Sequence, residues 1–156
     1  MRLTAFSDVS LRVMMLLSGT EQKLSTQLIA DGVGTPYNHV AKAVTFLANN
    51  GWVEATRGRA GGVILSEAGK KVTVGHLLRI SERDIPMVEC ESSHGSDCPM
   101  NSGCRLRGVL AQAREAFFEV LDSVVISELP SQSQMGPVFI ELGLGPLAQT
   151  RKLEVA

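Results

Sequence analysis

The sequence predicts a mainly α fold: a winged helix-turn-helix domain with a two-stranded wing, followed by a long C-terminal helix suited to dimerisation. Three observations predict it. Two helical segments meet at the tight turn Gly32-Val33-Gly34; the Gly-rich basic stretch Arg57-Gly58-Arg59-Ala60-Gly61-Gly62 lies between two short β-type runs; and apolar residues step by heptads from 106 to 124. With 156 residues, 44% of them hydrophobic, the chain can bury one core and carry an appended element, and is short for two independently stable domains.

Leu3, Phe6, Leu11, Met14, Met15 and Leu17 follow helical spacing behind Thr4 as a cap, which predicts a first amphipathic helix with Asp8 and Arg12 one turn apart. A short second helix starts at Ser25 behind the apolar Leu24 and stops at Gly32. Thr35 as N-cap and Pro36 at the first helical position open a third helix, whose apolar face is Val40, Ala43, Val44 and Leu47 and whose end is Asn49-Asn50-Gly51. Strands are expected at 52–56 and 63–65 on either side of the glycine-rich tip. Ser66 caps a further helical segment, and Thr73 to Ile80 forms another apolar-periodic piece. The winged domain therefore takes residues 1–80.

Residues 81–104 lose all periodicity and are punctuated by Pro86, Ser92, Ser93, Gly95, Ser96 and Pro99, a loop too long for an ordinary connection. Beyond it Leu106, Leu110, Ala113, Phe117, Val120 and Val124 make a heptad seam on a helix expected over 105–129. No second long helix of that pattern exists in the chain, so the simplest partner is the same helix of another copy in a two-fold homodimer. The alternative is packing on its own winged domain. From Pro130 onward the composition is rich in Ser, Gln, Gly and Pro, and 130–156 is expected as a tail with a bias to disorder.

Charge separates along the chain although the net charge is only −1. Residues 1–80 hold nine Lys and Arg against five Asp and Glu, net +4, and residues 81–156 hold six against eleven, net −5. A basic front and acidic back suit a chain that sends one half to a polyanion. The longest apolar stretch near the start, Val13 to Leu17, is far below the roughly 20 residues of a bilayer span, so no membrane association and a cytoplasmic location are expected.

A recognition helix reads base edges with residues near its N-terminal end, where this chain offers Thr35, Tyr37, Asn38, His39 and Lys42. Taken alone, that segment reads equally as a solvated polar helix face. Arg57 and Arg59, flanked by glycines that let a hairpin tip approach a phosphate backbone, shift the balance to double-stranded DNA. Together with Ser25 at the start of the second helix, these eight residues are the candidate DNA contacts.

All three cysteines fall in the irregular loop, spaced Cys90-x7-Cys98-x5-Cys104. Clustered thiols in a chain without a secretory signal point to metal or redox chemistry rather than to a disulfide framework. The paired C-x2-4-C spacing of structural zinc sites is absent, although three cysteines and His94 could bind zinc. Irregularly spaced thiolates on a loop suit an iron–sulfur cluster, and free redox-sensing thiols are the third option. No nucleophile–base pair, phosphate-cradling loop or substrate domain is visible, which argues against an enzyme.

The start Met1-Arg2-Leu3-Thr4-Ala5-Phe6-Ser7-Asp8, the segment Tyr37-Asn38-His39-Val40-Ala41-Lys42, the wing and the three-cysteine loop together resemble the Rrf2 family of bacterial regulators over residues 1 to 127, and within it the nitric-oxide-sensing repressors. The resemblance implies a homodimeric repressor of operator DNA. It further implies that Cys90, Cys98 and Cys104 hold an iron–sulfur cluster, [4Fe–4S] in preference to [2Fe–2S], with a carboxylate near the start of the other subunit as fourth ligand; Asp8 stands at that place. Family members that sense iron–sulfur status are expected to carry a histidine three residues after the third cysteine, where this chain has Arg107. Nitric oxide is therefore the expected signal.

Overall fold

The structure, a computed structural model, describes residues 2–58, 61–91, 98–100 and 102–145. Among these residues six helices and one hairpin follow in the order α1 (Ala5–Ser18), α2 (Thr26–Val33), α3 (Tyr37–Asn49), β1 (Val53–Thr56), β2 (Gly62–Leu65), α4 (Val74–Ser81), α5 (Arg105–Asp122) and α6 (Gln132–Glu141), with short 3-10 turns at Gly69–Lys71, Glu89–Glu91 and Ile126–Glu128. This is the winged helix-turn-helix arrangement with a long following helix that the residue pattern predicts.

Local chemistry sets most boundaries. The Thr4 hydroxyl accepts from the Ser7 N–H and opens α1, Ser25 does the same for Leu28 in α2, and Thr73 for His76 in α4. α2 closes on Gly34, which sits in the left-handed region at φ 63°, a conformation that costs glycine nothing and turns the chain sharply into α3. Thr35 does not cap α3 as expected: its hydroxyl reaches back to the Val33 carbonyl at 3.4 Å, and Pro36 takes the N-cap position without a side-chain bond.

β1 and β2 pair antiparallel with Val53 opposite Leu65 and Thr56 opposite Gly62. Val53, Val63 and Leu65 turn into the core. Leu24, ahead of α2, adds a one-residue bridge to Val63, so the wing is braced by a third extended segment.

α1 lies at the centre. Its Val13, Met14, Leu16 and Leu17 are buried against Val40, Ala43 and Leu47 of α3, Leu77 and Leu78 of α4, and Ile126. An aromatic ladder crosses the domain, with Phe6 on Phe46 (5.1 Å), Phe46 on Trp52 (5.8 Å) and Trp52 on His76 (5.5 Å), each edge to face. It links α1, α3, the start of the wing and α4.

Three further expectations need correction. α2 does not stop at Gly32 but runs through it to Val33, because the left-handed C-cap is Gly34. The helix of the heptad seam ends at Asp122 rather than 129, because the next residues pair with the segment before α4: the Val74 N–H donates to the Val124 carbonyl at 2.8 Å, and Ile126 N–H to Val72 at 3.0 Å. Val124 is thus off the helix. The expected tail also contains a helix, α6, capped by Ser131, whose Met135 and Phe139 are buried in the core. Polar and glycine-rich composition concealed two anchors spaced four apart, sufficient for one helical face. Residues 146–156 lie outside the described residues, so the expectation for them is neither met nor corrected.

Candidate nucleic-acid interface and cysteine loop

The start of α3 divides cleanly. Val40, Ala43, Val44 and Leu47 are buried, while Tyr37, Asn38, His39 and Lys42 stand exposed on the first turn and a half. The buried stripe orients the helix, so those four polar side chains are held outward by packing rather than by a polar network. Ser25 is exposed at the head of α2, with its hydroxyl engaged in the cap, and Thr35 is half-buried. Arg57 is exposed at the end of β1; Arg59 lies outside the described residues.

Ion pairing sorts the cations of the molecule. Arg12 sits 2.7 Å from Asp8, Lys70 2.8 Å from Glu67, and Arg79 2.6 Å from Glu115 and 2.8 Å from Asp122. Among the described residues, Lys42 and Arg57 have no carboxylate within 4.0 Å. Cations left without internal partners keep their full charge for an external anion.

Cys90 sits in the 3-10 turn Glu89–Glu91, and Cys104 is the N-cap of α5. Cys98 lies between them. All three are half-buried free thiols, unbridged to one another. His94 and Asp97 lie outside the described residues, and among the described ones no three His, Cys, Asp or Glu side chains converge. Asp8, expected as a ligand through resemblance, holds Arg12 across one turn of α1. As a donor set, three unpaired thiols suit iron–sulfur ligation and fit neither a disulfide nor a hard oxygen-seeking cation.

The loop is framed by two helices locked together. Arg79 of α4 grips Glu115 and Asp122 of α5 through five hydrogen bonds of 2.6 to 3.2 Å and lies over the Phe118 ring at 5.0 Å. Hydrogen bonds from Arg79 hold the Glu115 and Asp122 carboxyls below their ordinary range. Gly75 makes the approach possible, since a Cβ there would collide with the Asp122 carboxylate and lie 2.6 Å from its backbone nitrogen.

Phe118, absent from the predicted seam, is the buried anchor of α5, and sequence spacing missed it because it falls between heptad positions. The opposite stripe is bare: Leu106 is 62% exposed, Val109 60% and Val120 70%. Glu82 was also missed. It is a carboxylate only 4% exposed, at the end of α4, and its carbonyl accepts from Arg114 of α5. No helix among the described residues is long and apolar enough to cross a membrane.

The Rrf2 family model, described as an iron-dependent transcriptional regulator, matches residues 3–132. The chain is 42% identical over 145 residues to the HTH-type transcriptional repressor NsrR of Streptomyces coelicolor, covering 91% of this chain and 96% of that protein. It is 34% identical over 131 residues to the HTH-type transcriptional regulator NsrR of Geobacillus kaustophilus, covering 83% and 89%. Among solved structures it resembles T. potens IscR, with TM-score 0.62, 21% identity and coverage of 83% and 85%. It also resembles CymR, the global cysteine regulator of B. subtilis, with TM-score 0.61, 24% identity and coverage of 83% and 95%. At those identities the structures speak for the fold.

Proposed function

The chain belongs to the Rrf2 family of transcriptional regulators, and from that premise we propose that it is an NsrR-type repressor that binds operator DNA as a homodimer in the cytoplasm and releases it when nitric oxide reaches an iron–sulfur cluster. Cys90, Cys98 and Cys104 would hold the cluster, [4Fe–4S] rather than [2Fe–2S], and Asp8 of the partner subunit would complete its ligands. Bound there, the cluster supplies an iron whose non-cysteine ligand is exchangeable, which is what a small diatomic signal requires.

The observation that carries this reading is the position of the three free thiols, between an α4 tied to the winged domain and an α5 whose apolar stripe is uncovered. The protein's own residues provide the connection. Arg79 joins α4 to α5, Glu82 joins α4 to α1, and α1 packs on α3, so a shift at the loop reaches the exposed Tyr37, Asn38, His39 and Lys42 through packed elements. Those side chains would read the operator, with Ser25, Thr35, Arg57 and Arg59 on its backbone. Burying the Leu106, Val109 and Val120 stripe against a second copy would make the dimer and set two recognition helices on one DNA face.

Anaerobic purification tests the reading, with iron and sulfide counted and operator affinity measured before and after stoichiometric nitric oxide. A coloured, iron-loaded protein that loses DNA on nitric oxide is expected. Colourless protein, or affinity indifferent to nitric oxide, would overturn the sensor role.

A further inference from the structure

We propose that Lys23 is a DNA phosphate contact belonging to the wing, although it precedes α2 and lies 33 positions before the wing residue it touches. The proposal rests on the DNA-binding reading above and extends it to a residue that chain order hides.

The placement comes from the third extended segment. Leu24 donates its N–H to the Val63 carbonyl at 3.0 Å and accepts from the Val63 N–H at 2.8 Å, and its own side chain is fully buried. Successive side chains of an extended segment point to opposite faces, so fixing Leu24 inward fixes Lys23 outward. Lys23 is exposed, and its Cβ lies 3.0 Å from where a Cβ on Gly62 would be, which places its stem against the wing. Its ammonium donates to the Thr56 hydroxyl at 3.3 Å, directly beside exposed Arg57.

The electrostatics favour an external anion. Among the described residues no carboxylate lies within 4.0 Å of Lys23, whereas Arg12, Lys70 and Arg79 each have one closer than 3 Å. An ammonium has three N–H donors, and Thr56 uses one. Two remain for a phosphate oxygen. Two positions further on, Ser25 stands at the head of the first helix of the helix-turn-helix, the helix that crosses the phosphate backbone in such motifs.

The full-length protein, cluster-loaded, is titrated on operator and on unrelated duplex between 50 and 200 mM salt, as wild type, Lys23→Met and Lys23→Arg. Lys23→Met is expected to weaken binding to both duplexes alike and to flatten the log affinity against log salt slope by about 0.9 for each Lys23 engaged, about 1.8 in a dimer. Lys23→Arg should keep the wild-type slope. Wild-type binding with an unchanged Lys23→Met slope would overturn the role of Lys23 alone, and would leave Lys23 as a brace for Thr56 if melting temperature fell instead. A wild type that binds neither duplex would overturn the DNA-binding reading and Lys23 with it.

Discussion

Glu82, the residue that ends α4, accepts hydrogen bonds from both the backbone N–H (2.9 Å) and the hydroxyl (2.7 Å) of Thr4, 78 positions earlier at the head of α1. Thr4 in turn caps α1 through Ser7, whose hydroxyl meets Ser81 at 2.7 Å. The central helix of the winged domain is thereby tied to the helix that leads into the cysteine loop.

This pairing predicts an acid-sensitive stability. Burial pushes the Glu82 carboxyl up, but hydrogen bonds from Ser7 and Thr4 and the nearby Arg114 charge outweigh it, so the group titrates below its ordinary 4.5. A depressed folded-state value contributes stability that is present above the unfolded value and lost as pH falls through the folded one. Glu82→Gln should cost about 1 to 3 kcal/mol at pH 7, and the gap to wild type should close below the ordinary carboxylate range. Urea midpoints across pH measure it; a gap of equal size at pH 7 and well below 4.5 would show that the charge is not what matters.

Gly75→Ala should force α4 away from α5, since the added methyl collides with Asp122. Overpacking of this kind costs about 1 to 3 kcal/mol. The melting temperature should fall, and Asp122→Ala on top should not restore it, because the methyl would still lie 2.6 Å from the Asp122 backbone nitrogen. Full recovery in the double variant would mean that the side-chain carboxylate alone makes the clash.

Arg79→Lys should be a poor substitute for Arg79, because a single ammonium cannot span Glu115 and Asp122 while stacking on Phe118. Iron loading is expected to stay normal while the difference in DNA affinity between cluster-loaded and nitric-oxide-treated protein shrinks. Gel-shift titrations of both states measure it. An undiminished difference would place the coupling outside this pair.

Phe139→Ala tests α6. The ring is 1% exposed and lies where a Cβ on Gly19 would come within 2.9 Å, so truncation leaves a void at the end of α1. Loss of about 3 to 5 kcal/mol is expected in equilibrium unfolding. A change under about 1 kcal/mol would mean that α6 is a dispensable appendage.

Asp8→Ala separates structure from ligation. The Asp8–Arg12 pair is about half exposed at both ends, and pairs of that kind are worth about 0.3 to 0.5 kcal/mol, so the fold should hardly notice. Faster loss of iron to a chelator in the variant would support Asp8 as a ligand; wild-type loss rates would remove it.

What the residues determined by themselves is local. Thr4 and Ser25 mark helix starts because capping involves neighbours a few positions apart, and the outward face of α3 follows from the 3.6-residue spacing of Val40, Ala43, Val44 and Leu47. The cysteine spacing likewise lies open in the chain. Only the tertiary structure decided that Phe118 rather than Phe117 anchors α5, that α5 stops at Asp122, that Phe139 folds a glycine-rich segment onto α1, and that Thr4 meets Glu82, Arg79 meets Asp122 and Lys23 meets Thr56. Each of these joins residues 33 or more positions apart or depends on which face of a helix its neighbours cover. Helical periodicity carries no information about either, because it registers only side chains within a turn or two.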